Sequence, residues 1–297
     1  MLQVDPNNII IKDLHHYLLS IVGPRPIALA STINQNGISN VSPFSFFNIF
    51  SANPPIAIFS PARRVRNNTE KDTLKNIEST KEVVINIVNY NLVEKASIAS
   101  NEYPQEIDEF FKAGLTKIES KKIKPYRVEE SPVQMECKVN QIINLGKEGG
   151  AGNLIICEIL LIHISETILN EKNEIDQNKI QLVGRMGGDW YCKGFKESLF
   201  EIQKPTQDLC IGFDSIPKSI QNSNILNEKD LIKLASISEL PGKEELKSFS
   251  QNIQFSNTEK EKELTTILHT KAKEEINNNN IKLAWKYLLI NNTKKQT

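Results

Sequence analysis

The sequence predicts a mainly β fold, a β-barrel with helical insertions, followed by a C-terminal α-helical extension. Residues 21–90 are dominated by short alternating or β-branched runs separated by turn residues. Two longer apolar runs, 135–145 and 154–164, flank a Gly149-Gly150-Ala151-Gly152 turn. Strands broken by short helices, without a regular βαβ rhythm, favour a barrel over a doubly wound sheet. After about Pro205 the pattern changes to helical spacing, so the predicted units are 1–205 and 206–297.

In chain order, Ile27, Leu29 and Ser31 alternate with Ala28, Ala30 and Thr32, and Asn34 to Gly37 supply a turn. The next two strands are expected at 41–50 and 56–59, parted by Asn53-Pro54-Pro55. A short helix over 72–78 would turn Leu74 and Ile77 inward, and the run VVINIV at 83–88 reads as a buried strand. Helices follow at 92–100, capped by Asn91, and at 108–113, ended by Gly114. After the hairpin around 149–152 a last short strand is expected at 180–183. In the extension, Asn227 precedes a helix over 228–240, and Thr258 with Glu261 forms a capping box. The run at 277–280 ends that helix, and Ile281, Trp285, Leu288 and Leu289 start another stripe. These stripes are expected to dock on the barrel or on a second subunit.

Composition narrows the function. Hydrophobic residues make up 39% and charged residues 24%, ordinary for a globular protein. Lys+Arg and Asp+Glu both number 36, and this neutral balance argues against nucleic-acid binding by counterion release. No apolar run approaches the roughly 18 residues that span a bilayer, and the first residues lack a basic, then apolar, leader pattern. A cytoplasmic protein without membrane contact is expected. Cys137, Cys157, Cys192 and Cys210 are widely spaced, and the four histidines form no ligand pair, so buried reduced thiols and no metal are expected.

Two stretches carry chemistry. Lys71-Asp72-Thr73 opens a predicted helix, where free amides, the helix dipole, a cation and a hydroxyl favour an anion such as phosphate. Arg63, Arg64 and Arg66 stand just upstream. The competing reading is a capped surface helix beside a solvated basic loop. The run Ser42-Pro43-Phe44-Ser45-Phe46-Phe47-Asn48 combines aromatics with hydroxyls and an amide. It reads either as core or as the wall of a flavin ring, whose polar edge matches strand donors. Pro43, lacking an N–H, marks a strand edge. There is no Gly-x-Gly-x-x-Gly or Walker-type loop.

Over roughly residues 20–195 the chain resembles the flavin reductase-like family, with its FMN-binding split β-barrel. The matching pieces are Gly23-Pro24-Arg25-Pro26-Ile27, Ser31-Thr32, Asn40 to Ser45, Pro54-Pro55 and Lys71-Asp72-Thr73. Further along come Asn86, Asp108-Glu109-Phe110, Gly114-Leu115, Glu130-Ser131-Pro132, Glu136, His163, Gly184-Arg185 and Tyr191. The resemblance does not extend to 206–297. It implies a homodimer with FMN near the interface and NADH or NADPH as electron donor. By position, Ser42, Pro43, Phe44, Ser45 and Asn48 would line the ring. Ser60, Arg63, Lys71 and Thr73 would hold the phosphate, and Ser31 and Thr32 would reach the ribityl chain. His163, Arg185 and Tyr191 would sit at the open flavin face, although a core histidine fits His163 equally well. The implied activity is transfer of hydride from NAD(P)H to FMN and onward to a partner monooxygenase or small acceptor. Two alternatives stay open: a non-catalytic FMN carrier or electron relay, and an interaction protein using its C-terminal helices.

Overall fold

The computed structural model describes residues 1–202, 209–251 and 261–293. Contacts divide the chain into two compact units, Met1–Phe200 and Glu201–Thr297. The expected boundary at 205/206 and Thr258 of the expected capping box lie outside the described residues.

The first unit carries helices α1 (Ile11–Ile21), α2 (Asp72–Thr80), α3 (Val93–Ile98), α4 (Glu109–Lys112) and α5 (Gln177–Ile180). Its strands are β1 (Ala28–Ile33), β2 (Ser39–Phe44), β3 (Phe47–Ala52), β4 (Pro55–Phe59), β5 (Glu82–Ile87) and β6 (Lys117–Ile118). They continue with β7 (Arg127–Val128), β8 (Val133–Asn144), β9 (Asn153–Ile164), β10 (Val183–Arg185) and β11 (Tyr191–Lys193). Seven of them form one antiparallel sheet in the order β2-β1-β5-β8-β9-β4-β3.

That order forces the sheet to curl. Strands β2 and β3 are its two edges, yet only Ser45 and Phe46 join them. Three virtual bonds reach at most about 11 Å, whereas seven strands laid flat would separate the edges by about 29 Å. The edges therefore approach each other at the Ser45-Phe46 corner, and no ladder links β2 to β3 among the described residues. The single strand expected over 41–50 is corrected accordingly. Pro43 brings no donor, and two residues later the chain leaves one edge and enters the other.

Alternation along the strands fills two cores. Ala28, Ala30, Phe44, Phe59, Ile85 and Ile155 face the inside of the curl, where α2 adds Leu74 and Ile77. Phe44 packs on Phe59 with ring centroids 5.4 Å apart. On the other face, Leu29 and Val41 join Leu92, Ala96 and Phe110 of the segments around α3 and α4. A buried aliphatic side chain of this kind contributes roughly 1.5–3 kcal/mol. The glycine turn is the expected hairpin: Gly150 has φ +93°, and a Cβ on Gly149 would meet the Arg64 and Val65 carbonyls at 3.0 Å.

Several elements differ from expectation. Residues 177–180 form α5, because Asp176 caps them, and the strand begins at Val183 instead. The helix expected from an Asn91 cap is shorter and starts at Val93; Asn89, not Asn91, accepts from the Leu92 amide. Helix α1 lacks a capping side chain and buries no residue, so neither signal marked it in the sequence. Of the four thiols, Cys137 and Cys157 are buried, Cys192 is half-buried and Cys210 is exposed. Burial pushes the Cys137 thiol up to about 12.

The second unit contains α6 (Lys218–Gln221), α7 (Glu228–Ala235), α8 (Lys243–Gln251), α9 (Glu261–Asn277) and α10 (Ile281–Thr293). Asn227 and Asp230 cap α7 reciprocally. The helical stripes cover one another: Leu234, Leu246, Ala272, Ile276, Trp285 and Leu288 share one core. Trp285 is fully buried and donates from Nε1 to the Leu234 carbonyl at 2.9 Å. The apolar stripes of the second unit are thus buried within it. No helix among the described residues is long and apolar enough to cross a membrane.

Candidate functional site

Helix α2 is anchored to the sheet by a buried polar network. The Thr73 hydroxyl donates to Asn40 Oδ1 at 2.7 Å, and Thr32 donates to the same oxygen at 3.3 Å. Asn76 Nδ2 donates to the Thr32 hydroxyl at 3.1 Å, and Asn40 Nδ2 to Glu109 Oε1 at 2.7 Å. The other Glu109 oxygen is buried with no partner. Burial accordingly raises the Glu109 pKa, against the lowering effect of backbone and Asn40 hydrogen bonds. Ser31 is also sealed, donating to the Tyr126 carbonyl and accepting from Asn86. The side chains of Ser31, Thr32 and Thr73, expected to reach a ligand, are thus committed to internal partners. Thr32 and Thr73, through Asn40 and Asn76, tie α2 to the sheet.

Lys71 stands at the N-cap of α2, half-buried; its carbonyl accepts from the Leu74 amide at 3.0 Å, and its ammonium makes no ion pair or hydrogen bond with any described residue. Burial, then Arg64, push its pKa down, with a smaller contribution from Arg66 against the opposing pull of Glu102 and Asp72. The neighbouring arginines are all engaged. Arg63 binds Glu70 at 2.5 Å, Asn68 Oδ1 at 2.7 Å and the Asn68 carbonyl at 2.8 Å. Arg64 and Arg66 both pair with Glu102. Arg63, placed by the sequence on a phosphate, thus ties its own loop together. Asp72 pairs with Lys75 at 3.0 Å. Ser60 is buried, its oxygen accepting from the Asn153 amide at 3.1 Å.

Around the edge of β2 the ring-wall residues separate. Phe44 belongs to the core, and Asn48 is exposed on β3, where its side chain accepts from the Ile49 amide. Ser42 is buried with no hydrogen-bond partner among the described residues. Pro43 and Ser45 instead line a cleft of about 320 Å³ with Ser97 and Ser100 of the α3 segment and with Arg185 and Tyr191. The Arg185 guanidinium lies 4.5 Å from the centre of the Tyr191 ring. Two of the three residues expected at an open face therefore meet each other and the β2 edge.

The third does not. His163 on β9 donates from Nε2 to Glu136 Oε1, 2.7 Å away, and is absent from the cleft lining. Glu136 is fully buried and also accepts from the Lys121 and Lys122 amides. Burial works to raise its pKa, but the Lys121 amide, His163 and the Lys122 amide together hold it below the ordinary value. This pair fastens the 121–122 loop to the sheet, with the His163 side chain part-buried against Glu136.

Sequence reasoning assigned no role to Arg25, Asn40, Asn76 or Glu109. Arg25 is 5% exposed and donates to Ser45 Oγ and to the Leu19, Val22 and Met186 carbonyls. One signal was available: Thr73 and Asn76, polar and one turn apart, lie on the α2 face that carries Ile77.

A model of the flavin reductase like domain matches residues 23–178, and the chain belongs to this family. An uncharacterised protein of Aquifex aeolicus is 40% identical over 189 residues, covering 64% of this chain and 94% of that one. Among solved structures, nitrilotriacetate monooxygenase component B from Bacillus cereus has 31% identity and a TM-score of 0.63, covering 68% of this chain and 98% of its own. The Pseudomonas fluorescens 2-nitrobenzoate 2-nitroreductase has 26% identity and a TM-score of 0.62, covering 71% and 100%. Family and neighbours support flavin-related oxidoreduction as the class of activity. The family match stops before Arg185, Tyr191 and the second unit.

Proposed function

We propose that the first unit binds FMN along the free edge of β2 and serves as an oxidoreductase that takes hydride from NADH or NADPH. Electrons then pass to a flavin-using partner or a small acceptor. Lys71 carries this reading: it is a half-buried cation without a direct ion pair, at a helix start where the Asp72 and Thr73 amides make no hydrogen bond with a described residue. The cation and the two free amides of Asp72 and Thr73 fit the dianionic tail of FMN better than a neutral end. The Ser42 hydroxyl, which makes no hydrogen bond with a described residue, and Ser45 at the corner would orient polar ring atoms. When bound, the flavin supplies reversible hydride acceptance. The protein's share is binding, orientation and exclusion of water, which is consistent with a site lacking a paired acid and base.

The Arg185–Tyr191 pair forms the wall on which a second planar molecule would rest. Ser60 would contribute its hydroxyl hydrogen near the end of β4, and Thr32 and Thr73 act through the network that fixes α2. A homodimer is part of the proposal, because Ile49 and Phe50 on β3 and Ile21 on α1 are exposed apolar side chains suited to cover by a second copy. A cytoplasmic location and a partner monooxygenase, by likeness to the Bacillus cereus component, complete it. Anaerobic addition of NADH and NADPH to the FMN-loaded protein tests the activity. Bleaching of the visible flavin band is expected with at least one donor. A bound flavin that neither donor bleaches would support the carrier or relay instead.

A further inference from the structure

We infer that the cleft between the Ser45-Phe46 corner and α3 is an anion subsite for the second ligand, formed by Arg185 with Arg25 behind it. The inference rests on the flavin site proposed at the β2 edge, since it concerns the molecule that meets the flavin there. The cleft, about 320 Å³, is lined by Arg185, whose side chain is 26% exposed and lies over the Tyr191 ring at 4.5 Å. Ser97 also lines the cleft and offers a hydroxyl, whereas the Ser100 hydroxyl donates to the Ser97 carbonyl.

Charge is unbalanced there. Arg25 is almost fully buried, and all its bonds go to three carbonyls and the Ser45 hydroxyl. Those acceptors satisfy its N–H groups without cancelling its charge. A buried charge with no counter-ion is costly, and an anion arriving from outside offsets that cost. The lining contains one carboxylate, Asp189, which is fully exposed and 3.8 Å from Arg185. The titration of neighbouring groups registers the same field. Burial, then Arg185, lower the Arg25 pKa, while burial, then Arg25, lower that of His15 on α1. Arg25 also fastens the end of α1 to the chain after β10, which accounts for its carbonyl bonds. That tie does not account for a second guanidinium facing the cavity.

A planar guanidinium stacked on an aromatic ring favours a carboxylate or phosphate held by two parallel bonds. Two sources carry such a group: the pyrophosphate of a nicotinamide dinucleotide, and the carboxylate of an aromatic acid. Calorimetric titration of the full chain, with and without FMN, uses ADP for the first and benzoate for the second. At least one is expected to bind, more weakly as salt rises, and whichever binds identifies the source. Arg185→Gln should weaken that binding about ten- to a hundredfold, the worth of a charge-assisted hydrogen bond. Ser97→Glu, which adds a carboxylate on an exposed helical wall, should abolish it without touching Arg185. If neither probe binds, or if Arg185→Gln binds as the parent does, the subsite is refuted. FMN and riboflavin titrations separate the two proposals. A loss in Arg185→Gln confined to FMN would mean that the cleft holds the flavin's own tail, which also overturns the inference. Loss of all flavin binding in the parent, with ADP or benzoate still bound, would sink the proposed flavin site and leave the anion subsite standing.

Discussion

Replacing Asn40 by Ala probes the network that positions α2. Asn40 accepts from the hydroxyls of Thr73 and Thr32 and donates to Glu109, all away from water. A neutral hydrogen bond contributes about 1 kcal/mol net and one to a charged group about 1.5–3 kcal/mol. The 3.3 Å Thr32 bond belongs at the low end, so the three sum to about 3–4 kcal/mol. The substitution also leaves both Glu109 oxygens without side-chain partners, which adds to the cost. Total stability of a domain is about 5–15 kcal/mol, and a urea m-value of about 2 kcal/mol/M turns the loss into a midpoint shift of about 1.5–2 M. Urea unfolding followed by far-UV circular dichroism measures it. A shift under about 0.3 M would refute the claim that this network holds the helix. The same variant should weaken FMN binding, because the first turn of α2 carries Lys71.

Two further predictions concern buried carboxyls of opposite sign. Burial raises the Glu109 pKa, so the folded protein holds that proton more tightly than the unfolded chain does. The associated stability is complete below the unfolded value of about 4.3 and is lost as pH rises through the folded value. Glu109→Gln should flatten that decline when urea midpoints are compared at about pH 5 and about pH 8. Glu136 is held below the ordinary value instead, so its contribution is present above about pH 4.3 and is lost as pH falls through the folded pKa. His163→Gln should cost about 1–3 kcal/mol of stability by weakening its bond to Glu136, and flavin reduction should survive. A large loss of turnover without loss of stability would return His163 to the chemistry.

Much of the first unit was legible because its signals are local. The β1–β2 hairpin follows from alternation and the 34–37 turn, and α2 from Leu74 and Ile77 at helical spacing. The break at Ser45-Phe46 was hidden, because seven hydrophobic and hydroxyl residues in a row read equally well as one strand. Only the sheet order reveals that they pass from one edge to the other. The site was legible in part. Arg185 and Tyr191, both named from the sequence, meet in one cleft. Thr32 and Thr73 proved to face Asn40, and Arg63 to face Glu70, and partners 8, 33 and 7 residues away leave no periodic trace. Arg25 passed unnoticed since its acceptors are backbone carbonyls, which any sequence supplies.

The unpaired charge at the head of α2 is the claim on which the functional reading stands. Calorimetric titration of the parent and of Lys71→Gln with FMN and with riboflavin addresses it directly. The parent should prefer FMN by about tenfold or more, and the substitution should erase that preference while leaving riboflavin affinity within about twofold. Equal losses for both ligands, or a parent with no preference for the phosphorylated form, would contradict the account.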